Sequence, residues 1–166
     1  MPDLLTHVLI GYVVGTLLAF RYEWMRPAHV TLVMIGALSP DFVKVKLLVP
    51  DSIVATATGV PFSWSPLHTL GGSAVVILLG SLLVSPENRM RAIGLFGIGA
   101  LTHHALDFNL LTPTGYAYPV LWPLVQSHLP APNLYLSSDR WPALVAGLAA
   151  ALVWVVSQRR AAARQR

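Results

Sequence analysis

Five side chains in this sequence combine chemistry that is costly in an apolar chain with the ability to bind a metal ion: His7, Asp41, His68, His103 and Asp107. Ionisable groups inside or beside hydrocarbon are rare, and they are usually paired or functional. His103 and Asp107 stand four residues apart, so on a helix both project into one volume about a turn apart. That spacing suits two ligands of one metal, or a carboxylate bridging two. A purely structural His-to-Asp hydrogen bond uses the same spacing. Taken singly, His7 also fits a core histidine. Asp41 in Ser39-Pro40-Asp41 fits a helix terminator, since proline disfavours helix in the residue before it and Asp suits caps and turns. His68 in Ser65-Pro66-Leu67-His68 fits a helix start. Their common position near one end of the hydrophobic segments favours a single shared metal site.

The chain has no cysteine, so disulfides and thiolate sites are excluded and any metal is held by nitrogen and oxygen. Three imidazoles and two carboxylates suit zinc, with manganese or iron as alternatives. Five protein ligands are too many for one tetrahedral catalytic zinc that keeps a water position, which points to one or two ions. A pair sharing a carboxylate clamps a phosphoryl group and supplies hydroxide at neutral pH. His104 lies about 100° around a helix from His103 and is expected to contact substrate or support a ligand. His29 and His128 lack suitable neighbours and read as boundary and loop residues. The sequence has no nucleotide-binding, nucleophile-elbow or redox-cofactor motif.

The elements that must position these groups are apolar. Of 166 residues 55% are hydrophobic and 11% charged, which fits an integral membrane protein better than a soluble globule. Residues 4–20, 67–84, 92–111 and 141–157 each approach the ~20 residues that cross a ~30 Å hydrocarbon core. Residues 27–40 form a shorter run that must tilt, continue through residues 42–49, or be shielded by neighbours. The expectation is an all-α polytopic bundle of about five helices, a single domain over residues 1–158 with a basic tail over 159–166. The first run is read as a span and not a signal peptide, because Met1-Pro2-Asp3 supplies no Lys or Arg and no small-residue cleavage site follows.

With five spans, Arg21, Arg26, Arg89, Arg91, Arg159, Arg160, Arg164 and Arg166 fall on one side, against Lys44, Lys46 and Arg140 on the other. That asymmetry places the C-terminus in the cytoplasm and the five candidate ligands at the extracytoplasmic boundary. It also accounts for the net charge of +4 without nucleic acid, and leaves membrane lipids as the partner of the basic tail. Residues four apart share a helix face. His7, Gly11 and Gly15 form one such row; Gly99, His103 and Asp107 form another; His68, Gly72 and Gly80 are read as a third, and Ala143, Gly147 and Ala151 as a packing row on the last span. Small residues let membrane helices approach closely. The outer connections 41–66 and 112–140, rich in Pro and aromatics, are expected to act as lids.

The order Thr6-His7, Ser39-Pro40-Asp41, His68-Thr69, His103-His104-Ala105-Leu106-Asp107, then an aromatic stretch over 115–124 containing Trp122-Pro123, resembles the membrane-bound metal-dependent hydrolases of the YdjM-like, LexA-regulated inner-membrane type. The resemblance covers residues 1–124. That family is in turn similar in motif order to the zinc-dependent phospholipase C and P1 nuclease group. The likeness implies that Asp41, His68, His103 and Asp107 bind one zinc, and that Asp107 also reaches a second that His7 helps to hold. The sequence departs from the phospholipase pattern in lacking a further His-xxx-Glu pair.

The function expected from these observations is metal-dependent hydrolysis of a phosphoester on a lipid or lipid-linked substrate. Asp41 would act as base or orient the attacking water, and His104 as acid or phosphate contact. The alternative is a non-catalytic membrane protein that binds or transports a metal, or a scaffold whose His/Asp pairs merely brace the bundle.

Overall fold

The computed structural model describes residues 4–164; Met1, Pro2 and Asp3, and Gln165 and Arg166 of the tail, lie outside the described residues. The regular structure is helical throughout, as the apolar periodicity predicts. Six α-helices run α1 (Leu4–Arg21), α2 (Pro27–Leu38), α3 (Asp51–Thr58), α4 (Leu70–Ser81), α5 (Arg89–Phe108) and α6 (Trp141–Arg164), with 3-10 turns at Ser39–Leu47, Ser65–His68 and Pro86–Asn88.

The expected count of about five spans is corrected to two. Among the described residues, by length and composition, only Leu4–Arg21 and Trp141–Ala163 are long and apolar enough to cross a membrane. The reason differs by helix. α2 and α4 have 12 residues each, about 18 Å at 1.5 Å per residue, well short of a hydrocarbon core. α5 has 20 residues but opens on Arg89 and Arg91 and closes on His103, His104 and Asp107. The run expected over 67–84 is divided, because His68 ends a 3-10 turn and Thr69 caps a new helix. Thr69 is extended, its Oγ1 accepts from Gly72 N at 3.1 Å and its hydroxyl donates to the Pro66 carbonyl at 2.7 Å. His68 and Gly72 are therefore not one helical row. Gly72 instead backs onto the turn that carries His68, since a Cβ there would strike the Pro66 carbonyl.

The two other glycine rows do form helix interfaces. A Cβ on Gly11 would stand 2.9 Å from Ala37 Cβ, and one on Gly15 would stand 3.0 Å from Val30, so α1 lies directly on α2. A Cβ on Gly99 would strike the Val33 carbonyl, and one on Gly36 the Phe96 carbonyl. α2 is thus clamped against α1 and α5 with backbones nearly touching, the van der Waals route to association that small residues permit in membranes. Apolar side chains fill the rest. Met25, Val33 and Leu95 form one buried cluster, and Ile77, Phe96 and Ala100 a second between α4 and α5.

The packing row expected on the last helix is also corrected. Gly147 faces open space and Ala151 is exposed, whereas Ala146 and Ala150 are buried. Four-residue spacing of small residues occurs twice on this alanine-rich helix, and the row that meets α1 is the other one. The opposite face carries exposed Leu144, Leu148 and Leu152, an apolar strip suited to lipid and a liability in water.

Both long connections are ordered. In the first, Asp51 accepts from Ser63 Oγ and the Trp64 amide, while Trp64 Nε1 donates to the Val49 carbonyl at 2.8 Å. In the second, the Val120 and Trp122 carbonyls accept from the amides of Leu70 and Gly71 at 2.7 and 3.0 Å, satisfying donors that the first turn of α4 cannot pair internally. Tyr135 is buried against α5, its hydroxyl donating to the Leu106 carbonyl at 2.6 Å.

Candidate metal centre

The site is built where α2 gives way to a tighter helix. Pro40 has no N–H to offer the carbonyls of Ala37 and Gly36, three and four residues back. Gly36 is satisfied by the Ser39 amide and by Ser39 Oγ at 2.9 Å. The Ala37 carbonyl takes His103 Nδ1 at 2.8 Å, from α5. A carbonyl only accepts, so Nδ1 carries the proton, and in the neutral ring Nε2 presents its lone pair.

That lone pair is aimed at carboxylate. His103 Nε2 lies 3.4 Å from Asp107 Oδ2, His7 Nε2 lies 3.4 Å from Asp107 Oδ1, and His68 Nε2 lies 2.8 Å from Asp107 Oδ2. Yet among the described residues neither Asp107 oxygen, neither nitrogen of His7, nor His103 Nε2 has a hydrogen-bond partner. All are buried; His7 and His103 are 0% exposed and Asp107 2%. The atoms are close but are not oriented as donor and acceptor. A buried carboxylate facing the His103 lone pair is unfavourable, and a cation at that focus would remove the conflict. Ligand atoms on a tetrahedral ion with bonds of ~2.0–2.1 Å sit about 3.3 Å apart, close to the two 3.4 Å separations. One donor atom each from His7, His103 and Asp107 falls within 4.8 Å of the others. The donor set and its orphaned atoms therefore fit a divalent ion, with His103 oriented by a backbone carbonyl as metal-binding histidines commonly are.

Each helix contributes one feature. The His7 ring stacks on that of His103, centroids 3.8 Å apart and planes within 18°, and the Gly11–Ala37 and Gly99–Val33 contacts bring α1, α2 and α5 close enough for that stacking. His68 comes in edge-on to His103, 5.1 Å between centroids, and reaches the cluster through Asp107. His104 turns from this focus toward α4: its Nε2 is 2.9 Å from Ser73 Oγ, and its Nδ1 is buried without a partner. Ser73 carried no signal of its own in the sequence, where it reads as one more small residue.

Asp41 does not join the three clustered ligands as expected. Lys44 Nζ holds its Oδ2 at 2.8 Å, while Oδ1 is buried and unpartnered. The cause is local, because in a 3-10 helix side chains three apart eclipse, so Lys44 lies over Asp41. Asp41 remains within electrostatic reach of His7. Two clefts adjoin the centre. An apolar one of about 960 Å³ runs along Leu4, Val8, Leu38, Phe42 and Leu48, with Asp41 and Lys44 in its wall. A smaller one of about 310 Å³ is lined by Lys46, Ser65, His68, Thr69 and Tyr118. Lys44 and Lys46 entered the sequence argument only as topology markers; the folded chain puts both beside the centre. Tyr118, from the second long connection, packs against His68 with centroids 5.6 Å apart.

At the far end of the helices the chemistry reverses. Arg91 lies over Trp24 and Arg160 over Phe20, at 5.3 and 4.3 Å. His29, with no site role in the sequence, accepts the Arg26 amide on Nδ1 at 2.8 Å and so caps α2.

A helical bundle with two candidate spans, a buried His/Asp cluster at one end and arginines at the other has the make-up of a membrane protein. The chain belongs to the YdjM inner membrane protein family, whose model matches residues 1–165. No curated protein and no solved structure matches the chain.

Proposed function

We propose that this protein is a membrane-embedded metal-dependent hydrolase that cleaves a phosphoester on a lipid or lipid-linked substrate, using one or two zinc ions, with manganese or iron as alternatives. The observation that carries this is the His103 ring, whose backbone hydrogen bond leaves Nε2 facing the unpaired Asp107 carboxylate inside a buried cluster. A divalent ion held by His7, His103 and Asp107, with His68 beside Asp107, supplies Lewis acidity and makes water acidic near neutral pH.

The surroundings of the cluster favour an amphiphilic substrate. The apolar cleft accepts an acyl chain, and the recess at His68 accepts a phosphate, with Lys46 in its wall offsetting the charge. Asp41 is the general base, using the oxygen that Lys44 leaves free. Ser73 Oγ, 2.9 Å from His104 Nε2, holds that ring in place, and His104 is the phosphate contact. Because the arginines gather at the end of the bundle opposite the His/Asp centre, the arginine end, with the C-terminus, would face the cytoplasm and this centre the extracytoplasmic headgroup level.

The test pairs metal analysis with turnover. Purified wild type is expected to carry stoichiometric metal and to release phosphate or a headgroup from phospholipid vesicles, with loss of turnover on chelation. His103→Ala/Asp107→Ala should lose both metal and turnover. Unchanged metal content in the variant removes the proposal. Metal without hydrolysis on any phosphoester lipid favours the non-catalytic alternative.

A further inference from the structure

A third cleft lies at the opposite end of the helices from the His/Asp cluster, between α1, α2 and α6. It has a volume of about 400 Å³, and Thr16, Phe20, Arg26, Val30, Met34 and Arg160 are among the residues that line it. Its chemistry is unbalanced. Among the described residues neither Arg26 nor Arg160 has a carboxylate within 4.0 Å, and the Arg160 guanidinium rests only on the Phe20 ring. Arg26 is also the N-cap of α2, so the positive end of that helix dipole adds to the same mouth.

The aliphatic hydroxyls lining the cleft separate into two kinds. Thr31 donates to the Pro27 carbonyl and Ser157 to the Trp154 carbonyl, the usual back-bonding of such residues within a helix. Thr16 is 7% exposed and its Oγ1 has no partner. A buried hydroxyl left unpaired costs free energy, which a ligand oxygen recovers. Apart from Tyr12, the remaining wall, Val30 and Met34 included, is apolar.

We infer that this cleft binds an anionic phospholipid, its phosphate between Arg26 and Arg160 and one acyl chain along Val30 and Met34. The site is independent of the hydrolase assignment and uses none of its residues. Two unpaired guanidinium groups match a phosphate in charge and in hydrogen-bonding geometry, and their place at the end of two apolar helices is the depth of a headgroup. The apolar wall makes a lipid, and not a free anion, the fitting occupant.

The full-length protein, reconstituted in nanodiscs or detergent, should be titrated with phosphatidylglycerol and phosphatidylcholine and read by native mass spectrometry. Wild type should retain phosphatidylglycerol preferentially. Arg26→Gln/Arg160→Gln should weaken that binding about tenfold or more, while Arg21→Gln/Arg159→Gln, which removes the same charge outside the cleft, should change it less than about twofold. Thr16→Val should give a smaller loss in a protein of unaltered surface charge, and it carries the test if the double variant folds poorly. Equal retention of both lipids, or equal losses in the two double variants, overturns the proposal. Displacement of the lipid by millimolar inorganic phosphate overturns the lipid assignment in favour of a soluble anion.

Discussion

The two ends of this bundle differ in how their charges are handled. At one end His7, His103 and Asp107 are buried and close together, and among the described residues both nitrogens of His7, Nε2 of His103 and both oxygens of Asp107 lack hydrogen-bond partners. At the other, arginines sit on aromatic rings or at helix ends, exposed to whatever surrounds the molecule. The first arrangement is costly unless an ion occupies it, because buried charge must be compensated. The second needs no compensation, since guanidinium at a boundary keeps its hydration and snorkels to the interface. The contrast shows that the chain concentrates the expense of polarity in one place, beneath helices brought together by glycine.

The sharpest break in that comparison is removal of the enclosed charge. Asp107→Ala is expected to lower metal affinity on the order of 100-fold or more, measured by metal analysis after competition with a chelator. If the cluster merely braces the bundle, the same variant shows a stability loss of about 3–5 kcal/mol with metal content unchanged from wild type. Next in size is packing at the glycine clamp. Gly99→Leu forces α5 off α2 and should cost more than about 3 kcal/mol, whereas Gly147→Leu, at a position facing open space, should stay within about 0.5 kcal/mol. Denaturant melts in detergent compare the pair, and equal effects would remove the interface described for Gly99.

A smaller and more specific effect is expected from Pro40→Ala. It restores an N–H that competes with His103 Nδ1 for the Ala37 carbonyl, so metal affinity should fall about tenfold while the fold persists; unaltered affinity would show that this carbonyl does not orient the ring. Tyr135→Phe removes one buried hydrogen bond and should cost about 1 kcal/mol. Burial, and secondarily the Asp107 charge, push the Tyr135 phenol up to about 12. A phenol pKa raised on folding contributes stability that is complete below the unfolded value of ~10 and is lost as pH rises through 12. The wild type should therefore lose stability over that range relative to Tyr135→Phe, as pH-dependent melts will show. Thr69→Ala, which deletes the N-cap of α4, should also cost about 1 kcal/mol.

Much of this was legible in the residues. The all-helical class follows from long apolar runs broken by Pro, Gly and charge. The His103/Asp107 pair follows from a spacing of four on a helix, and the interior direction of His7 follows from the glycines below it. The span count was not legible, because apolar composition alone does not reveal that Thr69 starts a new helix or that α5 carries too many polar residues to pass as a span. Nor was the fate of Asp41. Its pairing with Lys44 depends on a 3-10 register that eclipses residues three apart, and an α-helical register places the two differently around the axis.

By itself the sequence determined the helical class and the chemistry of the donors, since these depend on composition and short spacing. Only the tertiary structure decided which donors share a focus, that the Ala37 carbonyl orients His103, and that Arg26 and Arg160 line one cleft beside an unpaired Thr16. Those facts join residues tens of positions apart in the chain, and close approach of backbones at Gly11, Gly36 and Gly99 is what brings them within reach.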